Sequence, residues 1–89
     1  MQSNVIRIPE AAKRSGISVR VLYERQASGL WPKAFAVGAQ GRRLYEHEVD
    51  ALNAAFAAGF SDEKVRALVR AIHAERERAG AAVEAALLC

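Results

Sequence analysis

The sequence predicts one small domain that is mainly α-helical, with a single β-hairpin and a further helix at its C-terminal end. Three observations support this fold class. A glycine that can end a helix, Gly16, precedes a helix-capping serine, Ser18, by two residues. A loop bracketed by glycines, residues 38–41, separates two short runs that contain apolar and aromatic residues. From residue 46 onwards, apolar residues recur at three- and four-residue intervals, which is typical of one helix face.

The composition limits the class of function. A chain of 89 residues forms one small domain without room for a deep catalytic pocket. Alanine supplies 19 of its apolar residues, so we expect a thin core that self-association helps to stabilise. Residues 1–45 hold eight Lys or Arg against two Asp or Glu, whereas residues 46–89 hold five against eight. The basic first half predicts a polyanionic partner.

Other features concern location and cofactors. The sequence has no signal-peptide pattern and no apolar run of about 20 residues, so we expect a cytosolic protein. Its one cysteine, Cys89, excludes an internal disulfide and supplies no cysteine cluster for zinc. His47 and Asp50 can share a helix face but have no further ligands nearby, so we expect no metal and no cofactor.

The first element is residues 5–8, whose alternation suits a short strand or an extended arm packed on the domain. Pro9 then starts the first helix, since proline is tolerated in a first turn. Lys13 and Arg14 lie near the end of this helix. They either touch phosphates or are surface charges favoured by the helix dipole.

The second helix, residues 18–26, follows the Gly16 turn, and the two helices together predict a helix-turn-helix. Arg20 and Tyr23 fall on its outer face, where they can enter a major groove and contact bases or phosphates. Arg25 falls on the inner side, so it must reach outwards to solvent or to a phosphate.

After this helix, Trp31 is expected to anchor the core, because a lone tryptophan between Leu and Pro is more often buried under a loop than stacked on a base. Residues 34–37 and 42–45 then predict a hairpin. Its Gln40, Arg42 and Arg43 form the pattern of a wing that reaches towards the DNA backbone or minor groove. The alternative is a solvated hairpin with two ordinary arginines.

The rest of the chain predicts two more helices. The third starts at residue 46 and packs on the core, and the fourth starts at the cap Ser61 and is interrupted by Gly80. The apolar tail beyond Gly80 either joins protomers or folds back onto its own thin core. We therefore divide the chain into a winged helix-turn-helix DNA-binding domain, residues 1–60, and a C-terminal helix with a self-association tail, residues 61–89.

Residues 6–56 resemble the AlpA-like phage regulators and excisionases. The resemblance is carried by Ile-Pro-Glu-Ala-Ala at residues 8–12, by Ser-Gly-Ile-Ser at residues 15–18, by the hairpin and by Glu-Val-Asp-Ala at residues 48–51. Residues 18–22 also resemble MerR-type regulators, which share the winged helix-turn-helix. The chain's size, long fourth helix and alanine content further resemble the recombination directionality factors of rhizobial integrative elements. Arg25 and Gln26 depart from the apolar pair that is common in AlpA-like proteins.

This resemblance implies a protein that bends and coats double-stranded DNA at an attachment site, so that a site-specific recombinase excises an integrated element. It equally implies an AlpA-like regulator of promoters, which would use the same surface. An enzyme would need a nucleophile with a base or a metal cluster, and the sequence offers only scattered Ser18, His47, His73 and Cys89, so we do not expect an enzyme. An interaction adaptor would be expected to have a charge-neutral wing, and Arg42 and Arg43 argue against that. The candidate DNA-contacting residues are Ser18, Val19, Arg20, Tyr23, Arg25, Lys33, Gln40, Arg42 and Arg43, and the candidate self-association residues are Val83, Leu87 and Leu88.

Overall fold

A computed structural model describes residues 4–39 and 41–88, which are mainly helical with one small sheet. Gln40 and Cys89 lie outside the described residues. The elements in chain order are β1 (Val5–Arg7), α1 (Ile8–Arg14), α2 (Val19–Ala27), β2 (Phe35–Ala36), β3 (Arg42–Tyr45), α3 (Glu46–Ala57) and α4 (Asp62–Leu88).

The three strands form one antiparallel sheet in the order β1-β3-β2. The hairpin of β2 and β3 is the one that the glycine-bracketed loop predicted. The segment at residues 5–7 is a strand, and it pairs with β3 so that Arg7 lies opposite Arg43. The central strand contributes Leu44, which is fully buried, and β1 contributes the buried Ile6. The sheet therefore covers one side of the helical core.

The turn between α1 and α2 follows the local chemistry of its residues. Gly16 adopts a φ of 69°, a left-handed conformation that reverses the chain at little cost for glycine. The N–H of Ile17 then donates to the carbonyl of Ala12 at 3.0 Å, which closes the end of α1. Ser18 Oγ accepts from the N–H of Val21 at 3.1 Å, so the predicted cap of α2 is present.

The core is small and has one large aromatic residue at its centre. Trp31 is almost fully buried, as predicted, and its ring stacks on Phe56 with centroids 6.3 Å apart. Leu22 of α2 and Leu52 of α3 are fully buried in the same cluster. Ala11 lies on the buried side of α1, where its small side chain lets α1 pack closely on α2.

The fourth helix corrects the expected break at Gly80, because α4 runs without interruption from Asp62 to Leu88. One glycine costs a helix about 1 kcal/mol relative to alanine, and the alanines around residue 80 are the best helix formers. Val65 and Val69 of α4 belong to the same core cluster as the other helices. The core therefore continues across the boundary expected at residue 60, whereas residues 77–88 are all exposed.

Candidate nucleic-acid interface

The outer face of α2 carries the exposed side chains that the helical periodicity predicted. Leu22 is fully buried on the inner side, whereas Arg20 is exposed and Tyr23 is 51% exposed. Arg20 Nε lies 3.5 Å from Glu24 Oε1, one turn along the helix. Both side chains are largely in solvent, so this pair contributes little and leaves the guanidinium available to a ligand. Ser18 and Val19 lie exposed at the start of the same helix.

Two neighbouring cavities are lined by residues of both α2 and the sheet. The larger, about 350 Å³, is lined by Tyr23, Gln26, Lys33, Ala34 and Arg42. The smaller, about 270 Å³, is lined by Arg7, Ile8, Pro9, Tyr23, Arg42 and Arg43. Tyr23 and Arg42 line both cavities, so the predicted helix contact and the predicted hairpin contact share one continuous surface. Of the described residues that line the two cavities, none is Asp or Glu.

The charges of this surface are not neutralised within the described part of the chain. None of the ion pairs found there includes Arg7, Lys33, Arg42 or Arg43. Arg43 instead donates through one terminal nitrogen to the carbonyl of Arg42 at 3.2 Å, and its side chain is half-buried. The surface can therefore attract an anionic ligand and donate several charge-assisted hydrogen bonds to it.

Lys33 is held in place by α4. Its backbone N–H donates to His73 Nε2 at 3.0 Å, and its carbonyl accepts from Arg76 at 2.7 Å. Arg76 also pairs with Glu48, whose side chain is only 5% exposed. These contacts fix the backbone of the loop before β2, so the exposed Lys33 side chain starts from a defined position beside Arg42. His73, which the sequence left without a role, is part of this connection.

Burial lowers the pKa of the His73 imidazole below its ordinary value, and the positive charges of Arg76 and Lys33 act in the same direction. The carboxylates of Glu48 and Glu77 oppose this shift without cancelling it. The neutral form is the one that accepts the hydrogen bond from the Lys33 N–H. The environment of His73 therefore favours the protonation state that the loop needs.

Arg25, one of the predicted DNA contacts, lies against aromatic rings on the inner side of α2. Its guanidinium lies 4.5 Å from the centre of the Phe56 ring and 5.8 Å from that of Trp31. The positive charge thus lies against the negative faces of two aromatic rings. Arg25 lines neither of the two basic cavities. It packs α2 against α3 and is not part of the shared surface.

Arg14 forms an ion pair with α3, which neither of the two roles considered from the sequence included. It donates to the two carboxylate oxygens of Asp50 at 2.7 and 3.0 Å, and so ties α1 to α3. This hydrogen bond holds the pKa of the Asp50 carboxyl below its ordinary value. Asp50 is thus engaged by an arginine, and no cluster of three or more potential metal ligands occurs in residues 4–39 and 41–88.

Arg7 is the basic residue of this surface that sequence reasoning missed. The sequence predicted that Arg7 lies in a strand or an extended arm, but it did not indicate with which strand this segment would pair. Pairing of β1 with β3 brings it opposite Arg43 and into the smaller cavity. The alternation of residues 5–8 could have indicated that its side chain faces away from the core, because Ile6 and Ile8 are the buried positions.

The apolar tail does not pack on its own domain. Val83 is 57% exposed, Leu87 76% and Leu88 77%. Val83 lines the mouth of a further cavity of about 570 Å³, together with Phe35, Tyr45 and the second half of α4. Since these three side chains remain exposed, they do not add to the thin core, as a tail folded back onto its own domain would.

Comparisons of the chain with protein-family models, with curated proteins and with solved structures find no match. No helix in the described part of the chain combines the length and the apolar character that a bilayer-spanning segment requires. The functional interpretation therefore rests on the residues and their geometry.

Proposed function

We propose that this protein binds double-stranded DNA as a winged helix-turn-helix. In this proposal α1 and α2 are the helix-turn-helix and the hairpin of β2 and β3 is the wing. The observation that supports it most is that Tyr23 of α2 and Arg42 of the hairpin line the same two basic cavities. A recognition helix and a wing must contact adjacent parts of one duplex. Both elements border this shared surface, so one duplex could contact them at the same time.

The dimensions of α2 suit a major groove. Its nine residues make a helix about 13.5 Å long, and a helix with its side chains is about 10 to 12 Å in diameter, which the major groove of B-DNA, about 12 Å wide, can admit. Arg20 is the candidate base-reading residue, since a guanidinium can donate two parallel hydrogen bonds to guanine. Tyr23 and Lys33 would contact the phosphate backbone beside the groove. Arg42 and Arg43 would act from the wing on the backbone or the adjacent minor groove.

Within this class, we propose that the protein is an excisionase, or recombination directionality factor. It would coat or bend attachment-site DNA and so favour excision by a site-specific recombinase. The motif resemblance supports this role, and the exposed tail adds a means of coating. One helix and one wing make few phosphate contacts, so useful affinity requires neighbouring protomers. Val83, Leu87 and Leu88 would join these protomers head-to-tail along the duplex.

Footprinting on the attachment site of the parent element and on its promoters tests this proposal, followed by an excision assay with the cognate recombinase. Protection of the attachment site together with protein-dependent excision is expected. Protection of promoters alone, without any effect on excision, would instead indicate an AlpA-like transcriptional regulator. Absence of protection on both would reject DNA binding as the function.

An Arg20→Ala variant refines the same experiment. If Arg20 reads a base, its loss should cost about 1 to 3 kcal/mol on the protected site and relax base preference there. Equal losses on protected and unrelated sequences would instead make Arg20 a backbone contact.

A further inference from the structure

We propose that Arg7 and Arg43 hold one phosphodiester of the DNA backbone between them, at the β1 side of the wing. This inference rests on the proposed function and extends the interface to a strand outside the helix-turn-helix and the hairpin. It assigns Arg7 a binding role and gives the smaller basic cavity a ligand of defined chemistry.

The sheet register places the two side chains together. Arg7 and Arg43 are directly opposite each other in the antiparallel pair of β1 and β3. Residues in this relation project from the same face of a sheet, with their Cβ atoms about 4.5 to 5.5 Å apart. Both line the cavity of about 270 Å³, and Arg42 and Tyr23 complete its polar wall.

The charge of this pair indicates an anionic ligand. Like charges that lie directly opposite on neighbouring strands destabilise a sheet. No ion pair found among the described residues brings a carboxylate to either guanidinium. Among the hydrogen bonds found between described residues, Arg43 donates through one terminal nitrogen, to the carbonyl of Arg42. An anion between the two arginines would relieve their repulsion and accept hydrogen bonds from both.

The chemistry of the cavity suits a backbone phosphate. Two arginines match the two unesterified oxygens of a phosphodiester, and the Tyr23 hydroxyl can add a neutral donor. Ile8 and Pro9 form an apolar side of the cavity that suits a deoxyribose. The cavity offers no carboxylate or amide among the described residues that line it, so it lacks the acceptors with which cytosine and adenine edges are recognised.

The test is the salt dependence of duplex binding by the full chain and by three charge-removing variants. Arg7→Gln should weaken binding alike on cognate and unrelated duplexes, but it should flatten the plot of log affinity against log salt by well under 0.9, the value for one phosphate, because Arg43 still neutralises the shared phosphate. Arg43→Gln should give a similar change. The double variant should flatten the slope by about 0.9 in total, because both side chains hold the same phosphate. Arg70→Gln on α4, exposed and outside both cavities, is the matched control and should leave the slope unchanged.

The free protein gives a second readout. At low salt and without DNA, Arg7→Gln should keep or slightly raise the thermal midpoint, since it removes a like-charge contact. A salt-dependent wild type with an unchanged affinity in Arg7→Gln and an unchanged slope in the double variant would overturn this inference while leaving DNA binding intact. A double variant that flattens the slope by about 1.8 would also overturn it, because it would show two separate phosphates. Absence of duplex binding by the wild type would reject the proposed function and this inference with it.

Discussion

The Arg25 guanidinium lies over the Phe56 ring, 4.5 Å from its centre, and so joins the inner side of α2 to α3. The helical periodicity predicted that Arg25 lies on this inner side, where an apolar side chain would be more stable than a charged one. The aromatic faces of Phe56 and Trp31 explain how the charge is accommodated there. Arg25 is therefore expected to contribute to folding rather than to DNA affinity.

Replacing Arg25 with Ala should lower the free energy of unfolding by about 1 kcal/mol, the usual size of a partly buried cation–π contact. The salt dependence of DNA binding should stay unchanged, because no phosphate contact is lost. Chemical denaturation and binding titrations at several salt concentrations check the two parts. An unchanged stability with a flatter salt slope would show that Arg25 contacts a phosphate after all.

The second prediction concerns the ion pair of Glu48 with Arg76. Arg76 donates to both carboxylate oxygens, at 2.5 and 3.1 Å, and also to the Lys33 carbonyl. Glu48→Ala would leave a largely buried guanidinium without its partner, so we expect a loss of about 3 kcal/mol in stability. Glu48→Gln, which keeps one acceptor, should lose less. A loss below about 1 kcal/mol for the alanine variant in a denaturation experiment would contradict this assignment.

The third prediction is a pH dependence that originates at His73. Its pKa is lowered in the folded protein, so the unfolded chain binds more protons at mildly acidic pH. The stabilisation is fully present above the unfolded value of about 6.5, and it is lost as the pH falls through the lower folded pKa. Unfolding followed between pH 8 and 5 should show this loss. His73→Gln should flatten the profile, and identical profiles for the wild type and His73→Gln would exclude His73 as the origin.

The fourth prediction concerns the exposed tail. Deletion of residues 81–89 should keep the thermal midpoint, because Val83, Leu87 and Leu88 bury little in their own protomer. Burial of each against a partner would contribute roughly 1.5 to 3 kcal/mol before the entropy of association is subtracted. The truncated protein should therefore bind one short site normally and lose cooperative laddering on long DNA in gel-shift titrations. A lower midpoint with intact cooperativity would show that the tail stabilises its own domain.

Local chemistry explains which parts of the fold were predictable. Gly16 reverses the chain through its own backbone conformation, and Ser18 caps a backbone N–H of the next turn. Because both effects are local, the turn between α1 and α2 could be predicted from the sequence. The burial of Trp31 followed from its size and its apolar neighbours. The continuation of α4 through Gly80 was missed because a glycine that can end a helix can also be tolerated within one.

The site was less predictable, because it depends on contacts between distant residues. The outer face of α2 follows from helical periodicity, so Arg20 and Tyr23 were placed correctly on the surface. The cross-strand pairing of Arg7 with Arg43 and the packing of Arg25 on Phe56 depend on how elements far apart in the chain meet. The hydrophobic periodicity of one segment carries no information about which distant segment it will contact.

If α2 and the hairpin bind duplex DNA together, the salt dependence of binding must change in the Arg42→Ala protein. Arg42 lines both basic cavities and forms no ion pair in the described part of the chain. For Arg42→Ala, fluorescence anisotropy on cognate and unrelated duplexes should give a plot of log affinity against log salt that is shallower by about one unit of slope than that of the wild type. The affinity should be weakened alike on all sequences. Arg70→Ala should match the wild type. Equal slopes and equal affinities for wild type and Arg42→Ala would contradict the account.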